Sequence, residues 1–180
     1  VYGKGSIKSN GIYDKAVEIL KAHEIEYFEL GGVDPNPRTE TVYKGAEICK
    51  ENGIDLILAM GGGSTIDCAK AISLQSKYDG DFWTDFYIKG RRDLIKEVTP
   101  VASILTLAAT GSEMNSNSVI SKMDENMKVG FSYEGIKPVF SVEDPEYTYS
   151  VSKYQTCAGA IDIMSHLFEQ YFSAEKDGFM

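Results

Sequence analysis

A chain of 180 residues, 43% hydrophobic and 25% charged, has material for one good-sized core, or for one domain and part of another, and lacks the composition of a disordered segment. A net charge of −9, with 18 scattered basic residues and no basic stripe carrying interleaved aromatics, excludes a nucleic-acid partner. No apolar run reaches the roughly 18 to 20 residues that cross a bilayer, so no membrane partner is expected, and without a basic-then-apolar leader the expected location is the cytoplasm.

The elements follow in chain order. Gly3-Lys4-Gly5-Ser6 is a short glycine turn at a strand end, ahead of a helix marked by Ile12, Val17, Ile19 and Leu20 and ending near His23. That histidine reads as surface structure, where a cation offsets the helix dipole. Residues 25–30 predict a strand closed by Gly31-Gly32, and Pro35-Asn36-Pro37 a rigid turn. Residues 39–52 predict a helix with Val42, Ala46 and Ile48 inward and Asn52-Gly53 as its stop. Residues 54–60 (IDLILAM) are continuously apolar after Asp55, the signature of a parallel strand covered on both faces. Gly61-Gly62-Gly63-Ser64 follows, then a helix over 65–75. Residues 101–107 predict a second buried strand, 116–121 and 128–133 an antiparallel pair, 138–142 a further strand, and 153–172 a long helix with Ala160, Ile163, Leu167 and Tyr171 at helical spacing.

Repeated βα units predict a doubly wound α/β fold with a mainly parallel sheet over residues 1–150, and the closing helix, 151–180, opens an all-helical domain. The chain starts at Val1-Tyr2-Gly3 without an initiator Met and closes at Gly178-Phe179-Met180 just after an amphipathic helix; both ends read as cuts, and the chain as a fragment. Cys49, Cys68 and Cys157 form neither a CxxC pair nor a disulfide framework, which fits a reducing compartment, and all three are expected to be buried or half-buried.

The glycine-rich turns carry the chemistry. Between a buried strand and a helix, the GGGS run lets backbone approach a ligand, while the helix N-terminus offers unpaired N–H groups and a positive dipole end. Pyrophosphate suits that arrangement. A tight turn alone needs fewer than four small residues, which favours the phosphate; Ser64 is expected to cap the helix as well as donate to phosphate, and Gly63 to need positive φ. No Lys-Ser/Thr follows at Walker spacing, and the run is not GxGxxG. Gly3-Lys4-Gly5-Ser6 and the hydroxyl-rich Thr106 to Glu113 are weak separately. As three turns after three strands they predict a dinucleotide cleft at the carboxyl edge of one sheet.

Asp162 and His166 stand four residues apart, one turn along a single helix face, where both can reach one divalent cation. On spacing alone the pair reads first as a surface hydrogen bond.

Together these stretches resemble the iron-containing (group III) alcohol dehydrogenases, most closely their butanol dehydrogenase branch. YGKGSIKSNGIYDK, ELGGVDPNPR, AMGGGSTIDCAKAI, ILTLAATGSEMN, DPEYTYSV and AGAIDIMSHLFEQYF carry the likeness, in order, over nearly the whole chain. The resemblance implies a dehydroquinate-synthase-like nucleotide-binding domain followed by an all-helical domain. It implies a pyrophosphate site at Gly62, Gly63 and Ser64, with Asp67 one turn on, and Thr106, Leu107 and Thr110 on the adenine and ribose side. Lys128 matches the lysine near the nicotinamide ribose, and Asp162 and His166 the first two metal ligands. Two further histidines complete the family's metal site, and this chain has none to give beyond His23, so by itself it is expected to be inactive.

For the parent protein the resemblance implies hydride transfer between NAD(P)H and a short-chain aldehyde or primary alcohol, with Fe²⁺ or Zn²⁺ as metal and a homodimer as its assembly. At the end of the second strand the family position that selects NAD is Gly3 here, not an acid. Gly3 and Gly5 leave room for a 2′-phosphate, Ser6 can donate to it, and Lys4 or Lys8 can supply charge, so NADP is expected to be somewhat favoured. The rival readings are a nucleotide-binding remnant without catalysis, and a polyol dehydrogenase or dehydroquinate-synthase-like lyase of the same fold.

Overall fold

The computed structural model describes residues 1–173. Its main sheet is parallel: β1 (Ile57–Gly61) pairs with β2 (Val101–Leu105), and β2 with β5 (Phe140–Val142). On the other side of β1 the first residues of the chain extend the sheet. Met60 N–H donates to Val1 O at 2.8 Å, Tyr2 bridges Met60, and Gly3 bridges Val33, both in parallel. Across the sheet the order is therefore Val33, Tyr2, β1, β2, β5. From Tyr2 the chain first steps to Val33 on one side and then returns to β1 on the other. That reversal is the topological switch point, where open α/β sheets bind ligands at their carboxyl edge.

The apolar run of 54–60 exists because β1 is covered twice. Ile57 and Ala59 enter the main core with Val42 of α3 (Thr39–Asn52) and Ile66, Ala69 and Ile72 of α4 (Gly63–Ser76). Leu58 and Met60 face the opposite side and pack with Ile7 of α1 (Ser6–Ser9) and Ile12, Tyr13 and Ala16 of α2 (Ile12–Ala22). Helices on both faces make the doubly wound α/β arrangement. Gly53 ends α3 in the left-handed conformation (φ 61°) with its N–H on Cys49 O, the stop that Asn52-Gly53 announces.

Beside α4 lies the antiparallel pair β3 (Asn117–Lys122) and β4 (Met127–Ser132), with Phe131 stacked near Phe86 and Tyr87. Last comes α5 (Lys153–Tyr171), capped by Ser152, whose Oγ accepts from Gln155 N–H at 3.3 Å. Residues 174–180, which close the expected helical unit, lie outside the described residues. Among the described residues no helix is long and apolar enough to cross a membrane.

Two expectations need correction. Residues 25–30 form no strand ladder among the described residues: Ile25 N–H donates to Leu20 O at 2.9 Å and Leu30 O accepts from Tyr2 N–H at 3.0 Å, and no described segment makes backbone hydrogen bonds to the residues between them. Cys68 is buried and Cys49 half-buried, but Cys157 is exposed, since Gly159 is the one buried residue among those described in α5.

Candidate functional site

The fold brings the three turns together at the switch point. A Cβ placed on Gly3 would lie 3.8 Å from Thr65 Oγ1; one on Gly62 would lie 3.4 Å from Leu107 Cβ, and one on Gly63 3.2 Å from Thr110 Oγ1. Thr106 N–H donates to Gly61 O at 3.1 Å, locking the third turn to the second. Gly5 O accepts from Lys8 and Ser9 as the chain enters α1; Ser6 opens that helix, and its side chain lies outside what the structure describes.

In α4 the first backbone bonds run from Thr65 and Ile66 to Gly62 O, at 3.0 and 3.2 Å. The amides of Gly63 and Ser64 precede the ladder, at the positive end of the helix dipole, and suit an anion. Two details differ from expectation. Neither Gly62 (φ −88°) nor Gly63, the first helical residue, takes positive φ, so glycine serves there for close approach to Leu107 and Thr110. Ser64 does not cap α4: it sits inside the first turn, and its Oγ accepts from Asn36 N–H at 3.4 Å.

Asn36 also gathers Lys128, whose Nζ donates to Asn36 Oδ1 at 2.7 Å. Lys128 of β4 is thus linked to Ser64 of the glycine turn through one residue, Asn36, whose side chain accepts from the lysine and whose backbone N–H donates to the serine. The lysines of the first loop are engaged differently. Lys4 pairs with Asp34 at 2.5 Å, Asp34 also meets Arg38 at 3.3 Å, and Lys8 lies 5.0 and 4.6 Å from the Tyr2 and Tyr13 ring centres. The Lys4 hydrogen bond, the largest cause, and the Arg38 charge hold the Asp34 carboxyl below its ordinary pKa.

Asp67 points inward. Its Oδ1 accepts from Ser112 Oγ at 2.6 Å and its Oδ2 from Val119 N–H at 3.0 Å. Burial pushes its carboxyl pKa up, against those hydrogen bonds and the nearby Lys70. The structure therefore uses Asp67 to seat the third turn and β3 on α4.

A glycine joins α5 to this edge: a Cβ on Gly159 would lie 2.5 Å from Ala108 O. Positions 159, 162 and 166 are three and four residues apart and share one face, so Asp162 and His166 stand on the face that meets the third turn. His166 Nε2 lies 3.9 Å from Asp162 Oδ2, and Glu169 Oε2 lies 3.3 Å from His166 Nδ1. Carboxylate and imidazole at that separation are donors of the type that iron or zinc takes, with a second carboxylate to orient the ring. Among the described residues, however, no group of three or more His, Cys, Asp or Glu is placed so that it could hold a metal ion.

An apolar hollow of about 230 Å³ is lined in part by Val17, Leu20, Ile25, Phe28, Ile48 and Leu56, and none of the residues of the three turns lines it. Its lining is mainly apolar, and the charged side chains in it, Glu26, Glu29 and Asp55, are acids that repel a phosphate. Sequence reasoning missed Asn36, Gly159 and Lys70. Asn36 carried a faint signal between two prolines, and Lys70 one in its place within an otherwise apolar helical run.

Comparison with known proteins gives a consistent result. The family described as iron-containing alcohol dehydrogenase matches residues 1–145. The chain is 55% identical over all 180 residues to NADH-dependent butanol dehydrogenase B of Clostridium acetobutylicum, covering 45% of that protein. It is 36% identical over 178 residues to the NADPH-dependent aldehyde reductase YqhD of Escherichia coli, covering 98% of this chain and 45% of that one. Among solved structures, NADH-dependent butanol dehydrogenase A of Thermotoga maritima superposes with a TM-score of 0.90 at 42% identity, over 95% of this chain and 42% of that one. The chain thus spans less than half the length of the relatives it matches.

Proposed function

The chain belongs to the iron-containing alcohol dehydrogenase family, and on that premise we propose that the protein carrying it transfers hydride between NAD(P)H and a short-chain aldehyde or primary alcohol. One observation supports this reading above others: three glycine- or hydroxyl-rich turns meet at the switch point of the sheet, and the helix bearing Asp162 and His166 is seated on one of them. The dinucleotide is positioned by this chain's own groups. Gly62, Gly63 and Ser64 present backbone to the pyrophosphate at the start of α4. Thr106, Leu107 and Thr110 line the adenine and ribose side, and Lys128 and Asn36 stand near the nicotinamide ribose. A divalent metal, when held by Asp162 and His166 with ligands outside the described residues, supplies Lewis-acid polarisation of the carbonyl oxygen. The nicotinamide, held by these residues, would supply a hydride to the carbonyl carbon in the reductive direction, with a proton taken up at the oxygen, so that aldehyde and NAD(P)H would give alcohol and NAD(P)⁺. In the same reading residues 151–180 begin a helical domain that covers the exposed Met164, Leu167, Phe168 and Tyr171, and the protein is a cytoplasmic homodimer.

The test is made on the full-length protein, by metal analysis and by oxidation of NADH and NADPH with butanal. Asp162→Ala and His166→Ala are expected to lose bound metal and turnover while retaining dinucleotide binding. Full activity without either side chain would overturn the reading. The 180-residue chain by itself is expected to bind NADH weakly and to show no turnover with added Fe²⁺ or Zn²⁺; robust turnover would contradict the incomplete metal site.

Cofactor choice turns on the first loop. The Clostridium relative is named for NADH and the Escherichia coli relative for NADPH, and in this chain the Lys4 charge is already paired with Asp34. A Cβ on Gly3 meets only ordinary contacts, at 3.7 and 3.8 Å, so Gly3→Asp fits without displacing backbone. Its carboxylate repels a 2′-phosphate and accepts from a free ribose. The ratio of kcat/KM for NADPH to that for NADH is expected to fall at least tenfold; an unmoved ratio means this loop does not read the ribose.

A further inference from the structure

Lys70 is fully buried in α4, yet its ammonium reaches five oxygens at the end of the third turn and in the segment just after it. Nζ lies 2.7 Å from Ser112 O, 3.1 Å from Ser112 Oγ, 2.9 Å from Asn115 O, 3.1 Å from Asn115 Oδ1 and 2.8 Å from Asn117 O. An aliphatic stem in the core with a charged end satisfied by carbonyls is a clamp, because releasing the loop would leave a buried cation without acceptors. The Asn115 side chain carries the clamp onward: its Nδ2 donates to Thr110 O at 3.4 Å, and its Oδ1 also accepts from Asn117 N–H at 2.9 Å. Thr110 Oγ1 is the atom that stands over Gly63. On the other side of the ammonium, Asp67 ties Ser112 to the same helix.

We propose that Lys70 is a positioning residue for the dinucleotide, holding Thr110 and its turn, through Asn115, at the height over Gly62-Gly63 that admits the cofactor. It touches no reacting atom. The inference rests on the dinucleotide reading of the cleft and adds a residue that the glycine turns themselves do not contain. Burial lowers the Lys70 pKa to about 8, while Asp67 and Glu113, the acids facing it, act in the opposite direction.

The test compares Lys70→Met with the unsubstituted full-length protein by NADH titration, steady-state kinetics and hydrogen exchange of residues 106–117. Methionine keeps the stem and removes the charge and the donors. The expected result is a rise of at least tenfold in the Kd and KM for NADH, a kcat at saturating NADH within threefold, an unchanged KM for butanal, and faster exchange over 106–117. A lowered melting temperature with unchanged Kd and KM for NADH overturns the proposal and leaves Lys70 a purely structural residue. If Lys70→Met fails to fold, Asn115→Ala decides by the same kinetic split, raised KM for NADH supporting the relay and an unchanged value overturning it. Failure of the unsubstituted protein to bind NADH overturns the dinucleotide reading and this role with it. Unaltered binding by the variant, with tight binding by the unsubstituted protein, sinks the Lys70 role alone.

Discussion

Gly63→Val in the full-length protein is expected to weaken NADH binding at least tenfold, about 1.4 kcal/mol, and to leave metal content unchanged. A Cβ at this position already lies 3.2 Å from Thr110 Oγ1 and 3.8 Å from Ser112 Cβ, and the γ-carbons of valine extend into the gap between the second and third turns. Helix propensity costs only a few tenths of a kcal/mol for valine relative to other ordinary residues, and Gly63 opens its helix, so the fold survives. The effect then falls on whatever occupies the gap. Gly63→Ala provides the graded control: its Cβ meets a hydroxyl that can rotate, and the loss should be smaller. Asp162 and His166 are on α5, which supports unchanged metal content. Calorimetric titration with NADH and elemental analysis of the same preparations make the measurement. An affinity indistinguishable from that of the unsubstituted protein would place the pyrophosphate elsewhere.

Gly159→Leu is expected to lower kcat by about a hundredfold and to destabilise the protein by about 1 to 3 kcal/mol. Here the neighbour at 2.5 Å is Ala108 O, a backbone atom that cannot rotate away, so α5 or the third turn must move. Asp162 follows Gly159 by three residues and moves with the helix, and a misplacement near 1 Å in a catalytic arrangement costs about two orders of magnitude. Gly159→Ala separates packing from propensity. In an exposed helix interior, glycine to alanine stabilises by about 0.5 to 1 kcal/mol; against Ala108 O the clash outweighs that gain, so the melting temperature is expected to fall. Rising stability with unchanged kcat in Gly159→Ala would show that α5 does not depend on this contact.

Much of the scaffold was legible before any coordinates. The apolar run of 54–60, the Asn52-Gly53 stop and the turn-flanked strands near 101 and 120 each depend on a few neighbouring residues, and the structure places their elements within a few positions of expectation. Strand 25–30 did not materialise as a ladder, because hydrogen-bonded pairing is a property of two segments, and among the described residues Leu30 O alone of this stretch meets a neighbouring segment, at Tyr2 N–H. Positive φ at Gly63 was read from residue type, yet glycine there answers to the crowding of Thr110 and Ser112, which are more than 40 residues away in sequence.

The sequence by itself determined the α/β class, the three turns at strand ends and the alignment of Asp162 with His166 on one helix face, since periods of two and 3.6 residues and the backbone freedom of glycine are local properties. Tertiary structure alone decided how these parts meet. Lys128 reaches Asn36 across 92 residues, Lys70 reaches the 112–117 segment across 42 to 47, and Gly159 rests on Ala108. A lysine in a helix reads locally as a solvated side chain; only the packing of β3 and the third turn over α4 removes its water and replaces it with five oxygens. Which loop faces which is set by the strand order, and strand order depends on which segments bury each other, a relation no window along the chain contains.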